Sequence, residues 1–210
     1  MTELLSSLLP FALTCLVIEI TPGPNMGYLA TLSLSRGWRA GVAAVAGVAL
    51  GLAIYGVVAA LGLAALIERS HLLYEVLRWA GVAYMLWLAF EAWLSERETG
   101  PSDADVDLQA LRPAFRRGLI TNLLNPKAGI FYVAMVPTFV TPGTDDVLAQ
   151  TLLLSAVYVA IATAIHLGIV MLASRLHAPL NDPARRRGVR RVLAALLAAI
   201  AVWFAITTAR

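Results

Sequence analysis

About six long apolar runs dominate the sequence, at residues 4–34, 39–66, 72–94, 114–140, 147–173 and 189–207. Each is long enough to cross bilayer hydrocarbon, which takes about 20 apolar residues in a helix. The composition leaves little else to build with. Of 210 residues, 60% are hydrophobic and 14% charged, where soluble domains average about 45–50% and about 25%. Too few polar side chains remain to cover a water-facing shell, so the chain needs lipid as its solvent. The sequence predicts an all-α integral membrane protein of about six transmembrane helices, one domain over 1–210.

Two of the runs carry their own interruption. The first would make about 46 Å of helix, against about 30 Å of hydrocarbon. Thr21-Pro22-Gly23-Pro24 breaks it, because two prolines around a glycine cannot continue a regular helix. The fourth is broken at Asn125-Pro126. Pro24-x-x-Gly27 in the first echoes Pro126-x-x-Gly129 in the fourth. Three spans per half make the two halves enter the membrane in opposite directions. The chain therefore reads as two inverted three-helix repeats, about 1–95 and 113–210, joined by a polar linker at about 96–112. Paired broken helices in inverted repeats are a transporter design, with the site where the breaks meet.

Arginine placement sets the orientation. Arg36 and Arg39 follow span one, Arg97, Arg112, Arg116 and Arg117 follow span three, and Arg175, Arg185, Arg186, Arg187, Arg190 and Arg191 follow span five. The opposite side holds Arg69 and Arg210. The positive-inside rule then puts the odd-numbered loops in the cytoplasm and both termini outside. The net charge of +3 thus belongs to loops beside anionic lipid rather than to a nucleic-acid surface. The start, Met1-Thr2-Glu3, lacks the basic residues that open a signal peptide, so the first run reads as a retained helix.

Several chemistries find no support. Cys15 is the single cysteine, which rules out an intrachain disulfide or a thiol redox pair. Asp103, Asp105 and Asp107 begin like a calcium loop, but Leu108 and Ala114 occupy its glycine and bidentate-acid positions. No nucleophile elbow, phosphate loop or zinc-ligand cluster occurs, so no enzyme, cofactor or metal centre is expected.

The residues with chemistry to offer surround the breaks. Half-helices starting near Asn25 and Lys127 present partial positive charge to whatever they face, which suits a carboxylate. Lys127 is the only lysine and lies near the middle of span four, where an ammonium costs about 2.5–3.5 kcal/mol or more. It either holds a substrate carboxylate or an acid, or snorkels to the headgroups. Glu19, deep in the first run, is a partner for Lys127 or for a substrate amino group, and is also a proton-carrier candidate. Thr21, Asn25, Asn122 and Asn125 either bind ligand or cap freed backbone groups. His166, in mid-span five, either shuttles protons or is a hydrogen-bonded structural histidine. Glu75 and Arg78 have the spacing of a helix-face pair, and Glu91 falls near the cytoplasmic interface. Gly37-x-x-x-Gly41 and Gly47-x-x-x-Gly51 have the spacing that lets helices approach closely and would permit a homodimer.

Two motifs carry a resemblance over essentially the whole chain. Ile20-Thr21-Pro22-Gly23-Pro24-Asn25 ends the first half-span. Gly118, then Asn122-Leu123-Leu124-Asn125-Pro126-Lys127-Ala128, leads into Phe131-Tyr132. In these the chain resembles the LysE/RhtB family of amino-acid exporters. The resemblance implies a bacterial inner-membrane exporter of amino acids or close derivatives, driven by protons or another ion. The family often has aspartate where Asn25 stands, so the coupling role shifts towards Glu19. Substrate contacts are then expected from Glu19, Thr21, Pro22, Gly23, Pro24, Asn25, Asn122, Asn125, Pro126 and Lys127. Two other classes remain open. A divalent metal-ion exporter would need several ligands within spans, where Glu19, Glu91 and His166 are the candidates. A lipid-modifying enzyme would need an activated nucleophile.

Overall fold

The computed structural model describes residues 2–21, 23–62, 71–94, 108–140 and 147–175, and in the last run 188, 191–192, 194–196, 198–199, 201–202 and 205–206. Pro22, Arg69, the three linker aspartates and the arginines at 185–187 lie outside these residues, as do the side chains of Arg78, Glu91 and Pro126. Among the described residues all regular structure is helical. The elements are α1 (Thr2–Ile20), α2 (Pro24–Ala60), α3 (His71–Leu94), α4 (Leu108–Leu123), α5 (Pro126–Ile130) and α6 (Val147–Arg175).

Helix α2 would be about 55 Å long if straight, but it turns back on itself. Gly37 has φ 79° and ψ 177°, a conformation that glycine adopts without steric cost. Ser33 and Gly41, which a straight helix would hold about 12 Å apart, are in contact across this turn. Residues 24–36 therefore complete the first crossing and 38–60 make the second. Gly37, read above with Gly41 as a packing pair, is instead the hinge.

The 38–60 segment is the centre of the fold. Gly47 lies against the backbone of Phe115 and Leu119, and Gly118 against the backbone of Ala44. A side chain at either glycine would push α2 and α4 apart. Gly51 adjoins Asn122, Gly41 adjoins Val170, and Gly56 adjoins Ser155. The glycine spacing is thus spent on packing within the chain, which corrects its reading as a dimer face. The same contacts show that 38–60 runs parallel to α4 and antiparallel to α6.

The last turns of α3 lie beside the second half of α4 and the last run. The Arg117 guanidinium stacks over Trp87 at 5.7 Å, and that of Arg191 over Trp93 at 5.5 Å. On α3, Glu75 accepts a hydrogen bond from Trp79 Nε1 at 3.1 Å.

Pro24–Ala60 and Val147–Arg175 are each long and apolar enough to cross a membrane, and Leu111–Leu123 with Lys127–Phe139, bent by 53° at the break, are so as a pair. Large apolar side chains such as Leu13, Val17, Trp79, Phe90 and Leu172 are exposed on the outer faces. Such surface is unfavourable in water and ordinary against lipid.

The second half of the bent crossing is irregular. Beyond α5 come a π turn, Phe131–Met135, and a 3-10 turn, Val136–Phe139. Pro137 supplies the reason, since it has no N–H for the carbonyl four residues back and its ring crowds that carbonyl.

The interior divides into two apolar clusters. One holds Phe11, Cys15, Leu52, Phe131, Tyr132, Leu154, Tyr158 and Ala162. The other holds Tyr28, Leu29, Ala44, Val45, Leu88 and Val170. Along the first crossing Glu19 and Asn25 fall between a residue of the first cluster and one of the second. Along α6 His166 does the same. A polar layer thus separates two dry ones.

A polar cleft where the helix breaks meet

Each break frees backbone groups, and a side chain from elsewhere takes up a freed carbonyl. In a continuous helix Thr21 O would accept from Asn25 N–H. Here it accepts from Lys127 Nζ at 2.9 Å. Leu123 O would accept from Lys127 N–H, but that donor has turned to Asn125 Oδ1 at 3.0 Å, a helix cap. Leu123 O accepts instead from Tyr55 Oη at 2.8 Å.

The breaks therefore touch. A Cβ added at Gly23 would lie 3.3 Å from Lys127 Cδ. Between them is a narrow polar cleft lined by Glu19, Gly23, Asn25, Met26, Asn125, Lys127, Ala128, Tyr158 and His166.

Glu19 is buried, at 4% exposure. Tyr158 Oη donates to its Oε1 at 2.6 Å. His166 Nε2 lies 3.2 Å from Oε2, an ion-pair distance without the alignment of a hydrogen bond. Sequence reading offers Glu19 as a partner for Lys127 or for a substrate amino group. The structure gives Glu19 partners on α6 and gives Lys127 a backbone carbonyl. Asn25 Oδ1 and His166 Nδ1 are buried with no hydrogen-bond partner among the described residues. Gly23 precedes Pro24 with no side chain to cap α2, so the N–H groups of Asn25 and Met26, which have no acceptor within the helix, border the cleft.

Of the residues singled out from the sequence, Glu19, Gly23, Asn25, Asn125, Lys127 and His166 line the cleft. Thr21 contributes its carbonyl, while its hydroxyl donates to Val17 O at 2.9 Å. Pro24 and Pro126 start the second half-helices. Asn122 is not among the lining residues. It is fully buried against Gly51 with neither amide atom partnered among the described residues. Sequence reasoning misses Met26, Ala128 and Tyr158.

Broken crossings packed around a polar cleft, inside a helical chain with apolar outer faces, define a polytopic membrane protein of the translocator kind. The LysE type translocator family model matches residues 16–208, and the chain belongs to that family. It is 32% identical over 188 residues to a homoserine/homoserine lactone efflux protein of Salmonella typhimurium, covering 89% of each chain. It is 34% identical over 153 residues to a leucine efflux protein of Klebsiella pneumoniae, covering 69% of this chain and 71% of that one. An uncharacterized membrane protein of Vibrio cholerae is 32% identical over 177 residues, 83% of this chain and 84% of its own. No solved structure matches.

Proposed function

We propose that the chain is a secondary active exporter of small neutral amino acids or their close derivatives. It would work across the bacterial inner membrane by alternating access, with protons moving inward as the amino acid leaves. The observation that carries this reading is the meeting of the two breaks, which brings one ammonium and one carboxylate to a single cleft between two dry clusters. A zwitterion needs that pair of groups. A charged side chain would need a third, and two efflux relatives are named for homoserine or its lactone and for leucine, whose side chains carry no charge.

Lys127 would exchange its bond to the Thr21 carbonyl for the substrate carboxylate, aided by Asn25, Asn125 and the uncapped first turn of α2. Glu19 would hold the substrate ammonium. A proton arriving from outside would neutralise Glu19, with His166 beside it as a relay, and so release the ammonium. The arginine-rich loops would face the cytoplasm and both termini the periplasm.

The test is transport by the purified protein in proteoliposomes, with homoserine, leucine and a divalent cation offered separately. An imposed pH gradient should drive homoserine or leucine, and Lys127→Ala should lower that flux about tenfold or more. Transport of the cation alone, or unchanged flux in Lys127→Ala, would contradict the assignment.

A further inference from the structure

Glu19 beside the first break and the Leu123 carbonyl in the second are joined by a line of aromatic side chains, in which Tyr158 and Tyr55 flank the Phe131-Tyr132 pair that follows the second break. Tyr158 Oη holds Glu19 Oε1 at 2.6 Å. The Tyr158 ring lies 3.9 Å, centroid to centroid, from Phe131 and 5.5 Å, edge-on, from Tyr132. Tyr132 stacks on Tyr55 at 5.9 Å with the rings 13° from parallel. Tyr55 Oη then donates to Leu123 O at 2.8 Å, the carbonyl left free where Lys127 N–H has turned to its cap. Phe131 and Tyr132 open the π turn.

We propose that Tyr158 is the coupling residue of the transporter, a positioning residue that passes the charge state of Glu19 to the second break. This rests on the transport reading above. Ionised Glu19 accepts a short, charge-assisted hydrogen bond from Tyr158 and so fixes that ring. Protonation converts the bond to a weaker neutral one. The ring is then free to move against Phe131 and Tyr132, at a π turn, where a helix can change register. Tyr132 bears on Tyr55, and Tyr55 grips the carbonyl beside Lys127. A proton bound at the ammonium end of the site thereby loosens the carboxylate end. The groups facing Glu19 are Tyr158 and His166 from α6 and Lys127 from the second break, with Cys15 one turn earlier on α1 and Tyr132 behind Tyr158.

Two rates separate this role from a merely structural one. The first is amino-acid exchange between equal concentrations at equal pH, which needs binding and isomerisation but no coupling. The second is uphill accumulation driven by a pH gradient. Tyr158→Phe should lower accumulation about tenfold or more beyond whatever it takes from exchange. Equal losses in both rates, or accumulation as in the parent, would overturn the proposal. A parent that exchanges but ignores the gradient would overturn it too, together with the proton step alone. A parent that exchanges no amino acid would sink the transport reading itself.

A second measurement needs no transport. With Cys15→Ala as background, a cysteine at Met135 reports on the π turn. The mobility of a nitroxide spin label attached there, which unlike thiol reactivity does not itself titrate, should change as pH falls in the Tyr158 protein and stay flat in Tyr158→Phe and in Glu19→Gln. A pH response that survives Glu19→Gln, or its absence from the parent, would refute the link.

Discussion

The Lys127 ammonium ties the second break to the first through the Thr21 carbonyl, and the same atom is placed to receive a carboxylate. Its neighbour Gly23 sets how much room that exchange has. Alanine at position 23 would crowd Lys127 Cδ at 3.3 Å, a tight contact that the flexible lysine stem can relieve. Leucine would fill the cleft. Gly23→Leu should therefore lower substrate affinity about tenfold or more while leaving the thermal midpoint within a few degrees, measured by ligand-induced stabilisation beside unliganded melting. A large loss of midpoint with affinity retained would mean that Gly23 serves packing instead. These residues were legible in the sequence because lipid makes them conspicuous. Glu19 and Lys127 carry charges too costly for hydrocarbon unless the fold uses or shelters them. Tyr158 was not legible, since a tyrosine in an apolar run carries no such cost. Asn122 shows the converse, a motif residue that packs beside Gly51 rather than in the cleft.

Among the elements, the close approach of α2 and α4 holds the breaks in place. Gly47 and Gly118 present bare backbone to each other's helix. Because backbone cannot step aside as a side-chain tip does, Gly47→Ala should cost about 1–3 kcal/mol, read as a fall in unfolding midpoint in detergent. Gly168→Ala, where nothing lies within 4 Å, is the control, and equal effects would show that the α2–α4 approach is not tight. The helix limits were well marked in the sequence, with 72–94 and 147–173 expected and His71–Leu94 and Val147–Arg175 found. Proline and apolar run length fix such ends locally. The turn between 34 and 39 was legible too, but Gly37's part in it and the π turn were missed for a common reason. Whether a glycine turns or packs depends on the Ser33–Gly41 contact around it, and how the chain absorbs Pro137 depends on the neighbours of Phe131 and Tyr132.

At the scale of the whole molecule, the arrangement is a polar layer held between two apolar clusters. Neither cluster is continuous in sequence, so the layer emerges only when the two breaks and mid-α6 come together. Water must reach that layer for the cleft to serve as a transport site. The most direct measurement is substrate protection of a cysteine placed at Asn125, with Cys15→Ala as background and Arg175→Cys, exposed at the end of α6, as control. A water-soluble thiol reagent should modify position 125, and saturating amino acid should slow that reaction about fivefold or more without affecting position 175. A position 125 that the reagent cannot reach, or that reacts equally fast with and without amino acid, would contradict a substrate site at the meeting of the breaks.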